Sequence, residues 1–237
     1  MFIMFVNILL LLLPITETTT NYQSKSYAYD IDTEEFLYNE IHTDIYSEKS
    51  LIRKISKFVD ENGELISRRQ MIFNNNYSTP DFEIEDFRTG YKEGAYVISP
   101  NSVKVFKKES FEEPLEESIL NIDGEFVIDG GLTYFFHEKW DKFINDEVIS
   151  FYFVAPNRLD YYSFQVSKYD IIAINNRKGI RLLLEPSSFI LQAFVDPVYI
   201  TYDLNTKEIL YYEGVSNVYD SEGNIYKVKI DYTKETK

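Results

Sequence analysis

The 237-residue chain has no cysteine. That excludes a disulfide framework, a thiolate nucleophile, cysteine-ligated zinc and a lipidated N-terminal cysteine. Histidine is nearly absent too, with only His42 and His137. A zinc site of three imidazoles cannot be built, and one using two would need them to meet. Basic residues are scarce beside acidic ones: 24 Lys and Arg against 39 Asp and Glu, a formal net charge of −15. Sequence-independent nucleic-acid binding depends on clustered cations that replace counterions, so this balance argues against it. It also disfavours a purely electrostatic hold on anionic lipid heads. Walker A, GxGxxG, GxSxG and SxxK strings are all missing, and no motif calls for a cofactor or metal.

Long apolar runs are absent with one exception, Met1–Ile15 (MFIMFVNILLLLLPI). It falls short of the roughly 20 residues of a comfortable spanning helix. It has the apolar stretch of an export signal without the Lys or Arg that usually opens one. We read residues 1–20 as a signal peptide cut near Thr18–Asn21, or as an uncleaved N-terminal anchor, with a buried first strand as the plainer alternative. Residues 21–237 then form a single β-rich domain, periplasmic or secreted. The mature chain has no transmembrane span if the signal is cleaved.

Aromatic residues are what the chain has in excess: 20 Tyr, 18 Phe and one Trp. Runs of Tyr, Phe, Ile and Val punctuated by Asp, Asn and Gly turns read as β-hairpins. In Asn224–Tyr232, Tyr226, Val228, Ile230 and Tyr232 share one face, and Lys227, Lys229 and Asp231 the other. Val148–Val154 is apolar on both faces, as expected of a strand covered on both sides. Tyr29–Glu40 and Tyr202–Glu213 are identical at seven of twelve positions. Convergent turn chemistry or a duplicated meander would each explain the echo, since Asp and Asn bond their own backbone in turns. Looser Asp-x-x-Gly turns follow at Asp60 and Asp220.

Residues 131–145 (GLTYFFHEKWDKFIN) form the clearest amphipathic helix, with Phe135, Phe136, Trp140 and Phe143 on one stripe and Asp129 as N-cap. A second short helix is expected over Ser187–Phe194. Lys107–Glu125, with seven acidic residues, reads as a solvated loop. The expected fold is mainly β: a strongly curved antiparallel sheet or open barrel, a β meander, with this one amphipathic helix packed on or inside it.

Few groups suggest chemistry. Glu40, His42 and Asp44 would line one strand face about 7 Å apart, where two carboxylates could orient the imidazole as a base or metal ligand. The plainer reading is a solvated face, with Ile41 and Ile45 pointing inward. His137 and Asp141, one helical turn apart, read as a surface ion pair. Lys139 falls inside the apolar arc, either with its stem on the sheet and its ammonium reaching out, or as a buried charge facing a ligand or carboxylate. Asp81, Glu83 and Glu85 would share a face on a solvated edge strand. Arg158 and Asp160 would pair in a turn between strands.

Three segments carry a resemblance: Thr89-Gly90-Tyr91-Lys92-Glu93-Gly94-Ala95, the helix with Trp140-Asp141, and Phe153-Val154-Ala155-Pro156-Asn157-Arg158-Leu159-Asp160-Tyr161. With the closing Tyr202-Asp203 and Tyr212-Glu213-Gly214, they resemble an uncharacterised family of exported proteobacterial β-rich proteins, over most of the chain after residue 25. That family brings no assigned activity and so no catalytic residues. The "YD-x-x-T-x-E-I-L" hairpin is also similar, more loosely, to periplasmic proteins related to lipoprotein-sorting factors. Those are half-barrels wrapped on helices around an apolar cavity. The missing basic residues of the leader depart from the standard exported pattern.

These readings lead to an exported, non-enzymatic envelope protein holding a hydrophobic, lipid-like ligand between sheet and helix. Phe136, Trp140, Phe151, Phe153, Tyr162 and Phe164 would line the cavity, with Lys139 and Arg158 as head-group contacts. An envelope protein-protein interaction or assembly factor is the alternative, since Tyr suits interfaces. A hydrolase or metal-dependent enzyme built on Glu40, His42 and Asp44 is the third.

Overall fold

The computed structural model describes residues 19–74, 76–174, 176–220 and 222–233. The apolar Met1–Ile15 segment lies outside them. Alternating side chains and hairpin turns produce β1 (Thr19–Asp30), β2 (Phe36–Ser47), β3 (Ser50–Val59), β4 (Leu65–Ile72), β5 (Asp81–Asp86), β6 (Lys92–Ser99), β7 (Ser102–Lys108) and β8 (Glu116–Asn121). After β9 (Phe126–Ile128) come helices α1 (Gly131–Glu138) and α2 (Trp140–Ile144), then β10 (Ile149–Ala155), β11 (Asp160–Ile174) and β12 (Arg177–Pro186). The one-turn helix α3 (Phe189–Gln192) precedes β13 (Val198–Asp203), β14 (Ile209–Tyr219) and β15 (Ile225–Asp231).

The fifteen strands form one sheet in the order β8-β7-β6-β5-β4-β3-β2-β1-β15-β14-β13-β12-β11-β10-β9, not closed into a barrel. Neighbours are antiparallel except β9 and β10. Those two are parallel because α1 and α2 lie between them, and a parallel pair needs such a crossover. The last strand, β15, sits mid-sheet between β1 and β14. Val103 and Leu120, near the β8 end of the order, share one core cluster with Ile128 and Val154 near the β9 end.

A second cluster joins Phe135, Phe136, Trp140 and Phe143 of the helices to Phe151, Val166, Leu182, Ile200 and Tyr202 of β10–β13. Each large apolar side chain buried there contributes about 1.5–3 kcal/mol. In β10, Ile149 and Phe151 face this cluster while Val154 faces the other. The strand is covered on both sides, as its apolar sequence requires.

Four expectations are corrected. The helix over 131–145 is two helices, broken at Lys139 (φ −92°, ψ 9°). The break leaves Lys139 half-buried, with its Nζ over the Phe135 ring (5.4 Å) and reaching Glu125 (2.7 Å) and Glu138 (2.9 Å), in keeping with a stem on the apolar side and an ammonium that reaches out to carboxylates. It also separates His137 from Asp141: the imidazole meets the Lys207 carbonyl at 2.8 Å. The supposed acidic loop contains β8, whose acidic residues are met by lysines of β7: Glu116 lies opposite Lys107 (3.9 Å), and Glu117, opposite Phe106, reaches Lys104 diagonally (2.7 Å). Finally, Asp81, Glu83 and Glu85 do share a face, but β5 is an inner strand of the sheet. Glu83 pairs with Lys92 (3.0 Å) and Glu85 with Arg68 (3.8 Å).

Candidate functional site

The ladder places Ser26 opposite Glu40, His42 opposite Ser56, and Ser56 opposite Arg69. Polar side chains from β1 to β4 therefore meet on one face of the sheet. That face is the buried one, which corrects the reading of β2: Glu40 and His42 are buried, while Ile41 and Ile45 are only half-buried. Burying such groups is tolerable only when their hydrogen bonds are made. Here they are. The Ser26 hydroxyl donates to Glu40 Oε2 (2.7 Å), Tyr232 Oη donates to the same oxygen (3.3 Å), and His42 Nε2 stands 3.2 Å from it. On the other side of the ring, His42 Nδ1 is 2.8 Å from Ser56 Oγ, which accepts from Arg69 Nη2 at 3.4 Å. The Glu40 carboxylate can only accept, so in a neutral imidazole the proton sits on Nε2, facing it, and Nδ1 accepts from the Ser56 hydroxyl.

Electrostatics follow the same geometry. Burial on its own would raise the Glu40 carboxyl, but His42, Arg69 and Ser26 outweigh it and hold it at about 2. Burial lowers His42 in spite of the carboxylate beside it. Asp44, the third candidate, stands apart and pairs with Lys54 at 3.2 Å. Ser56, His42 and Glu40 have the order of nucleophile, base and orienting acid. Yet Ser26 and Ser56 are completely buried, so neither hydroxyl can reach a substrate carbonyl.

Next to this network lies a cavity of about 180 Å³, bounded by the sheet and the first turn of α1. Its polar lining includes Glu40, Arg69, Asp129 and Asn217; rings of Phe58, Phe153, Tyr202, Tyr212 and Tyr232 and the side chains of Leu132, Ile200 and Ile230 supply the apolar part. Asp129 is not the helix cap that the sequence suggests. Gly130 is the N-cap residue, without a side-chain cap. Asp129, in a left-handed conformation (φ 38°), turns its carboxylate to Asn217 Nδ2 (2.7 Å) and Arg69 Nη1 (3.4 Å). Gly131 allows this entry, because a Cβ there would lie 2.2 Å from the Ser78 carbonyl oxygen.

Arg69 is the least satisfied member of the site. A guanidinium carries five N–H donors. The Arg69 contacts with Asp129 and Ser56 are both long, and its Nε is buried without a hydrogen-bond partner among the described residues. A wider depression of about 760 Å³ over Asn74, Thr79, Val97 and Pro100 has Glu125 as its one charged lining residue, already held by Lys139.

Of the residues read from the sequence as ligand contacts, Phe153 lines the cavity, and so does Glu40, which was read as a catalytic candidate. Phe136, Trp140 and Phe151 are packed in the helix–sheet core. Phe164 stacks edge-on against Phe153 (5.8 Å between centroids), and Tyr162 pairs with Phe153 across the ladder. Lys139 is ion-paired. Arg158 is exposed at the end of a 3₁₀ turn, where Asp160 accepts the Tyr161 amide (2.8 Å). Sequence reasoning missed Ser26, Ser56, Arg69, Asn217 and Tyr232 as a group. Arg69 had a signal, since it is in phase with Met71 and Phe73 on an inward face. Among the described residues, no group of three or more His, Asp or Glu could hold a metal ion. No known protein-family model and no curated protein matches the chain.

Proposed function

We propose that this is an exported, non-enzymatic binding protein that holds a small ligand with an apolar body between its sheet and the first turn of α1. One observation carries the reading: a cavity walled by rings and aliphatic side chains is also lined by the half-buried guanidinium of Arg69, whose contacts with Asp129 and Ser56 are both long. Pockets of this make-up, mostly apolar with a few convergent polar groups, are the usual form of small-molecule sites. An apolar cavity of about 150 Å³ takes up benzene, so this one suits a single ring or short chain better than a long acyl tail. The inaccessible serines favour binding over hydrolysis. Export rests on the Met1–Ile15 segment.

Native mass spectrometry of the protein purified from its own envelope fraction without detergent tests this. The expected result is a discrete extra mass that organic solvent releases. A bare protein whose melting temperature is also unmoved by any small-molecule panel would overturn it.

A second reading, docking to another envelope protein, is favoured by the segment around α3. Phe189, Ile190 and Phe194 are 86%, 72% and 83% exposed, and residues 187–195 carry no charge. Exposed apolar clusters of this kind mark interaction surfaces.

A further inference from the structure

We propose that the ligand is a small amine, an ammonium group on a short apolar body, and that Glu40 receives the ammonium; this rests on reading the cavity as the ligand site. Glu40 lines the cavity and is only 3% exposed. Its contacts with Ser26, Tyr232 and His42 all fall on one oxygen, Oε2. A carboxylate has about four lone-pair sites on its two oxygens. Among the described residues no hydrogen bond reaches Oε1, and unlike Arg69 Nε this atom is not shut away from solvent. The cavity wall therefore holds an acceptor open to a donor from inside.

The charges of the lining ask for the same group. Asp129 uses both oxygens within the protein, Oδ1 on Asn217 and Oδ2 on Arg69. Arg69 acts on both carboxylates but makes an ion pair only with Asp129 (3.4 Å). Beside Glu40 stands an imidazole that burial favours in its neutral form. Two carboxylates and one guanidinium leave one more negative charge than positive, and the unmatched one belongs to Glu40.

Other ligand classes fit less well. A carboxylate would add a third anion to this space. A neutral molecule would leave a desolvated excess charge uncompensated, which is costly. A metal ion would make no use of the apolar walls, and no group of three or more His, Asp or Glu among the described residues could hold one. An ammonium brings both the missing charge and a donor for Oε1, and tyrosine rings such as those of Tyr212 and Tyr232 stabilise a cation at their faces. Leu132, Ile200 and Ile230 receive the apolar body, which a space of about 180 Å³ limits to one ring or a short branched chain.

Calorimetric titration of the unmodified, dialysed protein near neutral pH tests the assignment with two matched pairs: 3-methylbutylamine against 3-methylbutan-1-ol, and 2-phenylethylamine against 2-phenylethanol. Within a pair the body is the same and only the charge of the donor differs. At least one amine is expected to bind about tenfold or more tighter than its alcohol. Glu40→Gln, which keeps the shape and removes the charge, should lower that amine's affinity about tenfold and leave the alcohol unchanged. Alcohols that bind as tightly as their amines in the unmodified protein would overturn the proposal, whether or not the variant folds. So would a folded variant that keeps the full amine affinity, or failure of both amines and of a wider panel of primary and secondary amines to bind. If native mass spectrometry then finds a released ligand of another class, the cavity reading survives and the amine does not. A bare protein that responds to nothing removes both.

Discussion

Glu40 and Glu93 are both buried carboxyls, and their surroundings push them in opposite directions. Glu40 is held at about 2 by His42, Arg69 and Ser26, against the effect of burial. Its contribution to stability is present above its unfolded pKa, near 4.5, and is lost as pH falls through about 2. His42, lowered by burial, acts in the same sense: below about 6.5 the unfolded chain takes up its proton first. Glu93, on β6, is pushed up to about 7, mainly by burial, with Asp129 adding to it; the Tyr91 hydroxyl, which donates at 3.0 Å, offsets only part. Its contribution is complete below about 4.5 and is lost as pH rises through about 7. Glu93→Gln is therefore expected to be more stable than the unmodified protein at pH 8, by about 1–3 kcal/mol, with the gain vanishing near pH 4. Urea denaturation at the two pH values checks this, and an equal effect at both would refute it. The adjacency of Glu40 and His42 was legible two residues apart on a strand. Their burial was not, because the serines and the guanidinium that satisfy them come from three other strands.

At the scale of elements, local chemistry repeats. Asp30 Oδ1 accepts from the amides of Asp32 (3.0 Å) and Thr33 (2.8 Å), and Asp203 Oδ1 accepts from those of Asn205 (2.8 Å) and Thr206 (2.9 Å). Asp60 and Asp220 likewise bind two amides each in their turns. The turns at Asp30 and Asp60 are separated by two strands and lie at the same end of the sheet. Those at Asp203 and Asp220 are separated by one strand and lie at opposite ends. Repeated turn chemistry explains this better than a repeated unit. Turns were readable because an Asp side chain bonds backbone within a few residues. The break at Lys139 was not, since the apolar spacing runs on through it. For α3, Phe189→Ser combined with Phe194→Ser should leave the unfolding free energy within about 0.5 kcal/mol of the original, as expected for exposed positions. If the patch docks a partner, crosslinked complexes in the envelope should disappear in the same variant. A large loss of stability would show instead that the segment packs on the sheet.

For the whole molecule, the decisive feature is β15. It pairs Tyr27 with Asp231 on one side and Tyr211 with Asp231 on the other, and so joins the meander β1–β8 to the strands β9–β14. Contacts this distant in sequence make folding slow and cooperative across the chain. Truncation after Asp220 removes this strand and with it Ile230 and Tyr232 of the cavity. Such a chain is expected to lose its cooperative unfolding transition, measured by circular dichroism against urea. Persistence of a sharp transition would mean that one half folds alone. At the β8 end, the exposed edge carries Glu116 and Glu117, and charge on an edge strand discourages pairing with a second molecule.

The sequence by itself determined the mainly β class, the strand faces in β10 and β15, the turn chemistry and an aromatic helix–sheet core. All of these depend on side-chain periods of two or about 3.6 residues and on backbone bonds within a few residues. Tertiary structure alone decided that a polar face of β2 points inward, that the helix breaks at Lys139, and that Arg69 and Asp129 meet beside a cavity with Asn217. Those outcomes depend on hydrogen bonds between groups up to 192 residues apart, and no local pattern records which distant donor will satisfy a given buried acceptor.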